Sequence, residues 1–498
     1  MTKQEALKLL YEKIQVGNAL GLASSIIHWD AATLGVPEKS LADRGAAIGW
    51  IGGESFRRFM ALDTIEAIET LEAVKSELNN YENAMIYVYG KAYRKAKAVP
   101  QEEFEAFQAL TAEAQAVWET ARKKCDYEMM LPYYEKVFDY QRRLCDWYGY
   151  ENHPYDALLD DYERGANVEM LDSFFSALRE KIVPLLKDII AKDNQPKEIK
   201  GLFDISKQRE LMPWLTDFAG YDRTRGKVGE VEHPFCTTIT LDDVRITTMY
   251  HEDNLMSALF STIHECGHAI YQQNMNAELV KHGLADGSSM GVHESQSRLY
   301  ENMICRSKSF TEILLPKLQE KFDYFKDWDV DSLYRSVNIA RPSLIRIEAD
   351  ELTYSLHVMV RYELEKKLIT GEIKVSDLPK LWADKYEEIL GIRPDTLANG
   401  VLQDVHWSAG YVGYFPSYAV GTAYGSQLMN TIKKSIDINT AIKNADISPI
   451  TKWLKENVHS KGQTLSPDEL LIQSTGEAFN PKYYVDYLEE KFRDLYLR

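Results

Sequence analysis

The chain has 498 residues, of which 45% are hydrophobic and 27% charged, which is typical of a folded globular protein and argues against disorder. Its net charge of −18 and pI of about 5.2 disfavour nucleic acid and anionic membranes as main partners, because both attract clustered lysine and arginine. No stretch approaches the length of about 18 apolar residues that suggests a membrane span, and the N-terminus lacks a signal-peptide pattern.

Most of the chain is predicted to be helical, because apolar residues recur at three- and four-residue spacing among charged ones. No convincing repeat or flexible linker interrupts this pattern, so we predict one domain over residues 1–498 with two helical lobes. The clearest helical windows are 55–92, 101–124, 166–192, 311–326 and 342–369.

The segment His233–Tyr250 breaks the helical pattern. It reads HPFCTTITLDDVRITTMY, rich in threonine, isoleucine and valine, with Asp242-Asp243 in its middle. This is the signature of a β-hairpin, which predicts a small sheet within a mainly α protein. Loops are expected near 193–202 and 221–232, where proline, glycine and charged residues gather.

The five cysteines indicate a reducing compartment. They are odd in number, widely spaced and contain no C-x-x-C pair, so neither a disulfide framework nor a zinc knuckle is predicted. Reduced thiols in the cytoplasm are the simplest interpretation. The cysteines are Cys125, Cys145, Cys236, Cys266 and Cys305.

The strongest chemical motif is HECGH at 264–268, an H-E-x-x-H pattern within an apolar helical stripe. Histidines four residues apart on a helix lie on one face, so His264 and His268 can reach the same metal ion. Glu265 is rotated by about 100° from His264, from where it can act as general base on a water activated by the metal. Cys266 points away from the histidine face, which favours a packing role.

A catalytic zinc site usually takes three protein ligands, so a third is expected downstream. Residues 293–297 read HESQS and follow a Gly-Ser-Ser-Met-Gly turn that opens a helix. Glu294 and His293 are both candidates for the third ligand. A glutamate there could equally be a helix N-terminal residue that favours the helix dipole.

Five blocks together resemble the Taq-type family of thermostable metallocarboxypeptidases, in which they occur in the same order. The similarity extends from the HWDAAT segment at 28–33 to the STGEAFNP segment at 474–481. The five blocks are DVRIT at 243–247, HECGH at 264–268, HESQS at 293–297, IRIEAD at 345–350 and GVLQDVHW at 400–407.

This resemblance implies that His264, His268 and Glu294 bind the metal and that Glu265 is the general base. It also implies a mainly α, saddle-like fold with a deep groove, commonly a homodimer. Zinc is the expected native metal, and the resemblance implies that cobalt can support activity.

A carboxypeptidase must also hold the free carboxylate of its substrate, a task suited to arginine. Arg346, Arg245 and Arg298 are the candidates, and the resemblance favours Arg346. The residues alone equally allow an intrahelical pair between Arg346 and Asp350. DVRIT lies on the predicted hairpin, where an exposed strand edge could bind a peptide backbone.

The GVLQDVHW block and the tyrosines after it supply candidates for stabilising the transition state. His406 could donate a hydrogen bond to the oxyanion, or it could be satisfied within the core. Tyr411, Tyr414 and Tyr418 could also stabilise the oxyanion or could bind the substrate. By analogy with related helical metallopeptidases, Tyr418 is favoured over Tyr411 as the donor. Asp404 could orient His406 or a metal ligand.

The sequence therefore predicts a metal-dependent carboxypeptidase that releases single residues from peptide C-termini. The alternative within enzymes is an oligopeptidase that cuts internal bonds of short peptides. An inactive metal-stabilised binding protein is a further hypothesis, which the presence of Glu265 disfavours.

Overall fold

The computed structural model describes residues 1–192 and 194–497. Most of them are helical, as the sequence predicted. The N-terminal helices are α1 (Lys3–Thr33), α2 (Leu41–Phe59), α3 (Leu62–Ala73), α4 (Asn80–Ala98), α5 (Gln101–Lys124), α6 (Leu131–Tyr148), α7 (Asp156–Tyr162), α8 (Val168–Ala191) and α9 (Ile205–Ala219).

A small sheet separates these helices from the rest of the chain, and short 3₁₀ turns join several of the later helices. The central helices are α10 (Leu255–Gln273), α11 (Ala277–Lys281), α12 (Met290–Arg298), α13 (Lys308–Lys321), α14 (Val330–Ser336), α15 (Tyr354–Thr370) and α16 (Leu378–Leu390). The C-terminal helices are α17 (Pro416–Ile432), α18 (Ile438–Lys443), α19 (Ser448–Asn457), α20 (Pro467–Thr475) and α21 (Lys482–Tyr496).

The sheet consists of β1 (Val228–Glu230), β2 (Cys236–Thr240) and β3 (Asp243–Thr248), in the order β1-β3-β2. The antiparallel pair of β2 and β3 confirms the predicted hairpin, with Thr237 opposite Arg245. β1 runs parallel to β3 and was missed, because its three residues fall in the predicted loop at 221–232. β3 is therefore the central strand, so the expectation that DVRIT offers a free strand edge is wrong, and the edge strands of the sheet are β1 and β2.

Two predicted helices differ from the structure. The window 55–92 spans the end of α2, all of α3 and most of α4, which begins at a capping box formed by Asn79 and Glu82. The window 342–369 becomes α-helical only after residue 353 and contains a 3₁₀ turn at Arg346–Glu348 before that point. The Asp350 carboxylate accepts the N–H groups of Leu352 and Thr353 and so competes with helical bonding. The predicted loop at 193–202 is irregular from 194 onward, and residue 193 lies outside the described residues.

The apolar core falls into two clusters. The larger runs through most of the chain and packs around α10, whereas the smaller joins α1, α3 and α4 at the N-terminal end. The two parts also meet through the hydrogen bond between Tyr11 on α1 and the buried His282 after α11, at 3.1 Å. None of the described helices combines the length and the apolar content that crossing a bilayer requires.

Candidate metal centre and groove

The buried helix α10 carries both imidazoles of the candidate metal site. Its apolar residues pack into the core, and the side chain of Asn254 caps its N-terminus by accepting the N–H of Ser257. His264 and His268, one turn apart, have ring centroids 4.9 Å apart. The spacing of four residues thus places both rings on the same face of α10.

α12 brings a carboxylate to the same point. The Ser289 side chain caps this helix, as the predicted turn before HESQS requires. The Oε2 atom of Glu294 lies 3.6 Å from Nε2 of His264 and 3.5 Å from Nε2 of His268. Ligand atoms around a zinc ion with bonds of about 2.1 Å lie roughly 3.4 Å apart, so this donor set fits a divalent metal.

Glycine residues allow the helices of the site to approach one another closely. A Cβ atom on Gly267 would lie 2.6 Å from the carbonyl oxygen of Gln296 on α12. A Cβ atom on Gly421 in α17 would lie 2.8 Å from Cβ of Glu294. Glycine at these two positions therefore lets α12 lie close to both α10 and α17.

Charged groups lie behind the imidazoles of the candidate metal site, and the central one, Glu301, was not predicted from the sequence. Glu301 lies in the π-helical turn Leu299–Ile304 that follows α12. Its Oε2 atom is 3.0 Å from Nδ1 of His264. Arg298 donates to Glu294 at 2.7 Å and to Glu301 at 3.2 Å. Glu301 follows Glu294 by seven residues, and this helical spacing is the sequence feature that could have predicted that both carboxylates lie on the same helix face.

These contacts fix the charge of both carboxylates. Burial would raise the pKa of Glu301, but Arg298, the hydrogen bond with His264 and Arg306 hold it well below its usual range. Burial also acts on Glu294, whose pKa is nevertheless held well below the ordinary value by Arg298 and the two histidines of α10. Both groups are therefore anionic at neutral pH.

His293, the rival third ligand, lies behind His268. The Nδ1 atoms of the two rings are 2.6 Å apart, and the Nε2 atom of His293 faces Gln272 at 3.0 Å. When His268 uses Nε2 for a metal, its Nδ1–H can donate to His293, which fixes the orientation of the ring. Among the described residues, the metal-compatible cluster contains His264, His268 and Glu294 and excludes His293.

Glu265 is 6% exposed and lines the groove beside the two histidines. Burial raises its pKa to about 7, with Glu294 and Glu301 adding to the effect and His264 opposing it. A carboxylate with a pKa near neutrality can both accept and return a proton. Cys236 at the start of β2 also lines the groove, whereas Cys266 is fully buried in the core, as its expected packing role requires.

The metal-binding face forms one wall of a groove with a volume of about 720 Å³. α4 and the end of α7 also line this groove, where they contribute the ion-paired Lys91 and Asp160. Tyr414 and Tyr418 also line this groove, whereas Arg346, Arg245, His406 and Tyr411 are not among its lining residues.

Arg346 is buried and bound to Asp404, not to Asp350. Its Nε and Nη2 atoms donate to Oδ1 of Asp404 at 3.1 and 3.0 Å. Its guanidinium lies 5.2 Å from the ring centroid of Tyr418, and therefore behind a side chain of the groove. Asp350 instead accepts the N–H of Arg341 at 3.0 Å, so the alternative of an intrahelical pair is wrong.

His406 lies close to the groove tyrosines. Its ring centroid is 5.5 Å from that of Tyr414 and 6.4 Å from that of Tyr418, and its buried Nδ1 has no hydrogen-bond partner among the described residues. Burial, with help from Arg346 and Arg361 and against Asp404, lowers the pKa of His406 to about 4. The ring is therefore neutral at physiological pH and keeps one N–H to donate.

The remaining predicted residues lie further from the metal-binding face. Arg245 binds Asp243 through two hydrogen bonds of 2.8 and 2.6 Å and stacks over Trp29. Tyr411 is 50% exposed, and its ring centroid is 5.9 Å from that of Tyr414.

The chain is similar to known proteins over almost its full length. The family model described as Carboxypeptidase Taq (M32) metallopeptidase matches residues 10–492. Carboxypeptidase 1 of Bacillus subtilis is 41% identical over 479 residues, which cover 95% of each chain. Thermostable carboxypeptidase 1 of Thermus thermophilus is 33% identical over 510 residues and covers all of both chains. The solved structure of a Pyrococcus furiosus carboxypeptidase superposes with a TM-score of 0.95 at 35% identity, covering 98% of this chain and 99% of that one.

Proposed function

The chain belongs to the Taq-type (M32) family of metallocarboxypeptidases, and we propose that His264, His268 and Glu294 bind its divalent metal ion. The protein is a metal-dependent carboxypeptidase, which releases single amino acids from peptide C-termini. The observation that supports this ligand set is the convergence of one atom from each of the three side chains within 4.8 Å of one another.

A divalent ion at this site would supply a water nucleophile of lowered pKa and would polarise the carbonyl of the scissile bond. Glu265 takes the proton of the attacking water and later delivers it to the leaving amine. Its pKa of about 7, a consequence of burial, suits both transfers. Glu301 holds the orientation of His264 through Nδ1.

Tyr418 donates a hydrogen bond to the oxyanion that develops on the attacked carbonyl, and His406 assists it. Tyr418 is supported by its position on the groove wall. His406 is supported by its neutral ring and by its buried Nδ1, for which the described part of the chain offers no hydrogen-bond partner. Donors preorganised in a site that excludes water stabilise such a charge without reorganisation.

Arg346 supplies the positive charge for the carboxylate of the substrate, and Asp404 orients Arg346. The support is the position of the guanidinium directly behind Tyr418. Tyr411 and Arg245 contact more distant parts of the peptide, Tyr411 at the exposed rim.

The experiment that tests the reaction uses peptides with free and with amidated C-termini, with and without a chelator, and mass spectrometry of the products. We expect a C-terminal ladder that loses one residue at a time and disappears on amidation and on chelation. Internal fragments would instead support the oligopeptidase alternative, which the carboxypeptidase relatives do not favour.

The native metal is zinc in this proposal, and cobalt restores activity to the metal-free protein. Two imidazoles and one carboxylate suit zinc, although they do not exclude other first-row metals. Elemental analysis of the purified protein, followed by titration of the metal-free protein with each ion, tests this choice. Activity with magnesium alone would contradict it.

The proposed assembly is a homodimer of single-domain subunits in the cytoplasm. α2 buries none of its residues, and its exposed Leu41, Ile48 and Phe56 fall within an arc of about 80°, which supports contact with a second copy. All five cysteines are free, which supports a reducing compartment. Light scattering of the wild type and of Phe56→Glu tests the dimer, and cell fractionation tests the location.

A further inference from the structure

Asp404 accepts hydrogen bonds from two arginines rather than one. Its Oδ1 atom binds Arg346, and its Oδ2 atom accepts Nε and Nη2 of Arg361 at 2.7 and 2.5 Å. Arg361 lies on α15 and belongs to none of the five sequence blocks. Each oxygen of the carboxylate thus faces a different guanidinium.

The cluster carries an excess of one positive charge. Side-chain exposure is 0% for Arg361, 6% for Arg346 and 11% for Asp404, so water screens these charges poorly. Asp404 is the one acidic partner of either arginine among the described ion pairs. A buried charge without a partner is unfavourable, which indicates that a negative ligand completes the cluster.

The other contacts of the arginines are neutral. Arg361 donates to the carbonyl of His357 at 2.7 Å and to Oε1 of Gln403 at 2.9 Å. Arg346 donates to the hydroxyl of Tyr354 at 3.1 Å. These groups satisfy N–H donors but leave the net charge unchanged.

Glu365 is a further buried acid that interacts electrostatically with Arg361, but among the described ion pairs it has none with either arginine. It accepts from Trp407 at 2.6 Å, from the N–H of Gly413 at 2.8 Å and from the hydroxyl of Tyr155. Burial raises the pKa of Glu365 to about 7, although these hydrogen bonds and Arg361 oppose the rise. Glu365 is therefore largely protonated below neutral pH.

We propose that Arg361 is a positioning residue for substrate recognition: it neutralises Asp404 and so leaves the charge of Arg346 for the substrate carboxylate. A pair of Arg346 and Asp404 alone would be a neutral dipole, with much weaker attraction for an anion. This inference rests on the proposed role of Arg346.

Charge variants separate this role from simple packing. Arg361→Gln makes the cluster neutral, whereas Asp404→Asn increases its positive charge. The double variant Arg361→Gln/Asp404→Asn returns it to the wild-type charge while removing more hydrogen bonds. If the role is electrostatic, the double variant should recover recognition of the substrate carboxylate. If the role is packing, the double variant should recognise the carboxylate less well than Arg361→Gln does.

The measurement compares one short peptide, made uncleavable by a reduced C-terminal peptide bond, with a free and with an amidated C-terminus as competitive inhibitors of the metal-loaded enzyme. The inhibition constant of the amidated peptide divided by that of the free peptide reports recognition of the carboxylate, because a larger ratio means a stronger preference for the free terminus. We expect Arg361→Gln to lower this ratio about tenfold and to raise KM, with kcat within about threefold of the wild type. The double variant should recover the ratio to within about threefold of the wild type.

Arg179→Gln is the matched control. Arg179 also pairs with two carboxylates, those of Glu363 and Glu388, and one of these lies on α15, but its side chain is 33% exposed. This control should leave the ratio unchanged. If Arg361→Gln does not fold, Asp404→Asn provides the test. The amide oxygen of asparagine can still accept from Arg346 and orient it, so the proposal predicts a ratio at or above that of the wild type, whereas a structural role of the ion pairs predicts a fall.

The proposal is overturned if Arg361→Gln keeps the wild-type ratio, or if the double variant is worse than Arg361→Gln. The role of Arg346 itself is tested by a separate variant. If Arg346→Gln keeps the wild-type ratio, that role is rejected. The two failures are therefore distinguishable in one set of assays.

Discussion

At the scale of single residues, the reaction depends on groups whose proton affinity is set by their surroundings. Glu265 and Glu301 are both buried carboxylates within the same small region, yet their pKa values move in opposite directions. Burial dominates at Glu265, whereas Arg298, Arg306 and the hydrogen bond with His264 outweigh it at Glu301. One group can therefore exchange protons at neutral pH, and the other remains an anion that orients His264.

We expect Glu265→Gln to lower kcat by a factor of about 10²–10⁴, because the amide cannot accept the proton of the attacking water. Metal content should stay at the wild-type level, since Glu265 is not among the three converging ligand groups. Steady-state kinetics and elemental analysis of the same preparation give the answer. Loss of metal together with activity would show that its role has been misassigned.

Glu301→Gln should weaken metal affinity by about 10- to 100-fold, because the anionic acceptor of the His264 Nδ1–H is lost. Competition with a chromophoric chelator measures the affinity directly. Glu278→Gln is the control, since Glu278 has a side-chain exposure of 58% and its ion pair lies at the surface. Equal affinities for the two variants would rule out an orienting role for Glu301.

Residue roles were predictable from sequence where chemistry repeats at a fixed local spacing. The four-residue interval of His264 and His268 places both rings on one helix face in any helical fold. Arg346 has no such local constraint, and the sequence alone suggested Asp350 as its partner. Its actual partner, Asp404, is 58 residues away, and only the packing of the chain brings the two together.

At the scale of elements, the site depends on how closely α12 lies against α10 and α17. Gly267 and Gly421 are the points of contact, where a Cβ atom would overlap atoms of α12. Glu294, the proposed third ligand, lies against Gly421, so the helix spacing also sets the distance from this carboxylate to the histidines.

Gly421→Ala should destabilise the protein by about 1–3 kcal/mol and weaken metal binding, because the added methyl group pushes Glu294 away from α17. Gly17→Ala in α1 is the control: its Cβ meets nothing within 4 Å, so it should be neutral or stabilising. Urea unfolding and metal titration of both variants test the difference. A Gly421→Ala protein with wild-type affinity would mean that α12 can shift without moving Glu294.

Element boundaries were less predictable than element type. The hairpin and the long helices follow from periodicity, but the segment 342–353 has a helical pattern and forms a 3₁₀ turn at Arg346–Glu348 instead of an α-helix. There the Asp350 carboxylate binds nearby N–H groups, and Arg346 turns inward to Asp404. Such competition from side chains is decided by tertiary contacts, which periodicity does not contain.

At the scale of the whole molecule, buried acids link folding to pH. Glu163, 3% exposed, accepts the N–H of Gly291 at 2.8 Å at the start of α12. Burial raises its pKa from 4.5 to about 7, although its hydrogen bonds oppose the rise. Because the folded state holds this proton more tightly than the unfolded chain, the stabilisation is complete below pH 4.5 and is lost as the pH rises towards 7.

Glu163→Gln should remove this dependence, since the amide oxygen can still accept the N–H of Gly291 but cannot ionise. The free energy of unfolding of the wild type, relative to the variant, should fall by about 3 kcal/mol between pH 4.5 and pH 7. Urea unfolding of both proteins across this range measures it. A difference that is constant with pH would show that Glu163 does not titrate in this interval.

The sequence by itself determined the family, the mainly helical fold, the hairpin and the two imidazoles of HECGH, because these depend on local periodicity and on motifs of fixed spacing. Only the tertiary structure decided which charges meet. It placed Glu301 behind His264 and His293 behind His268, and it gave Asp404 two arginines instead of one. The physical reason is that burial and long-range packing set the partner of a charged group, and no local pattern in the chain records that choice.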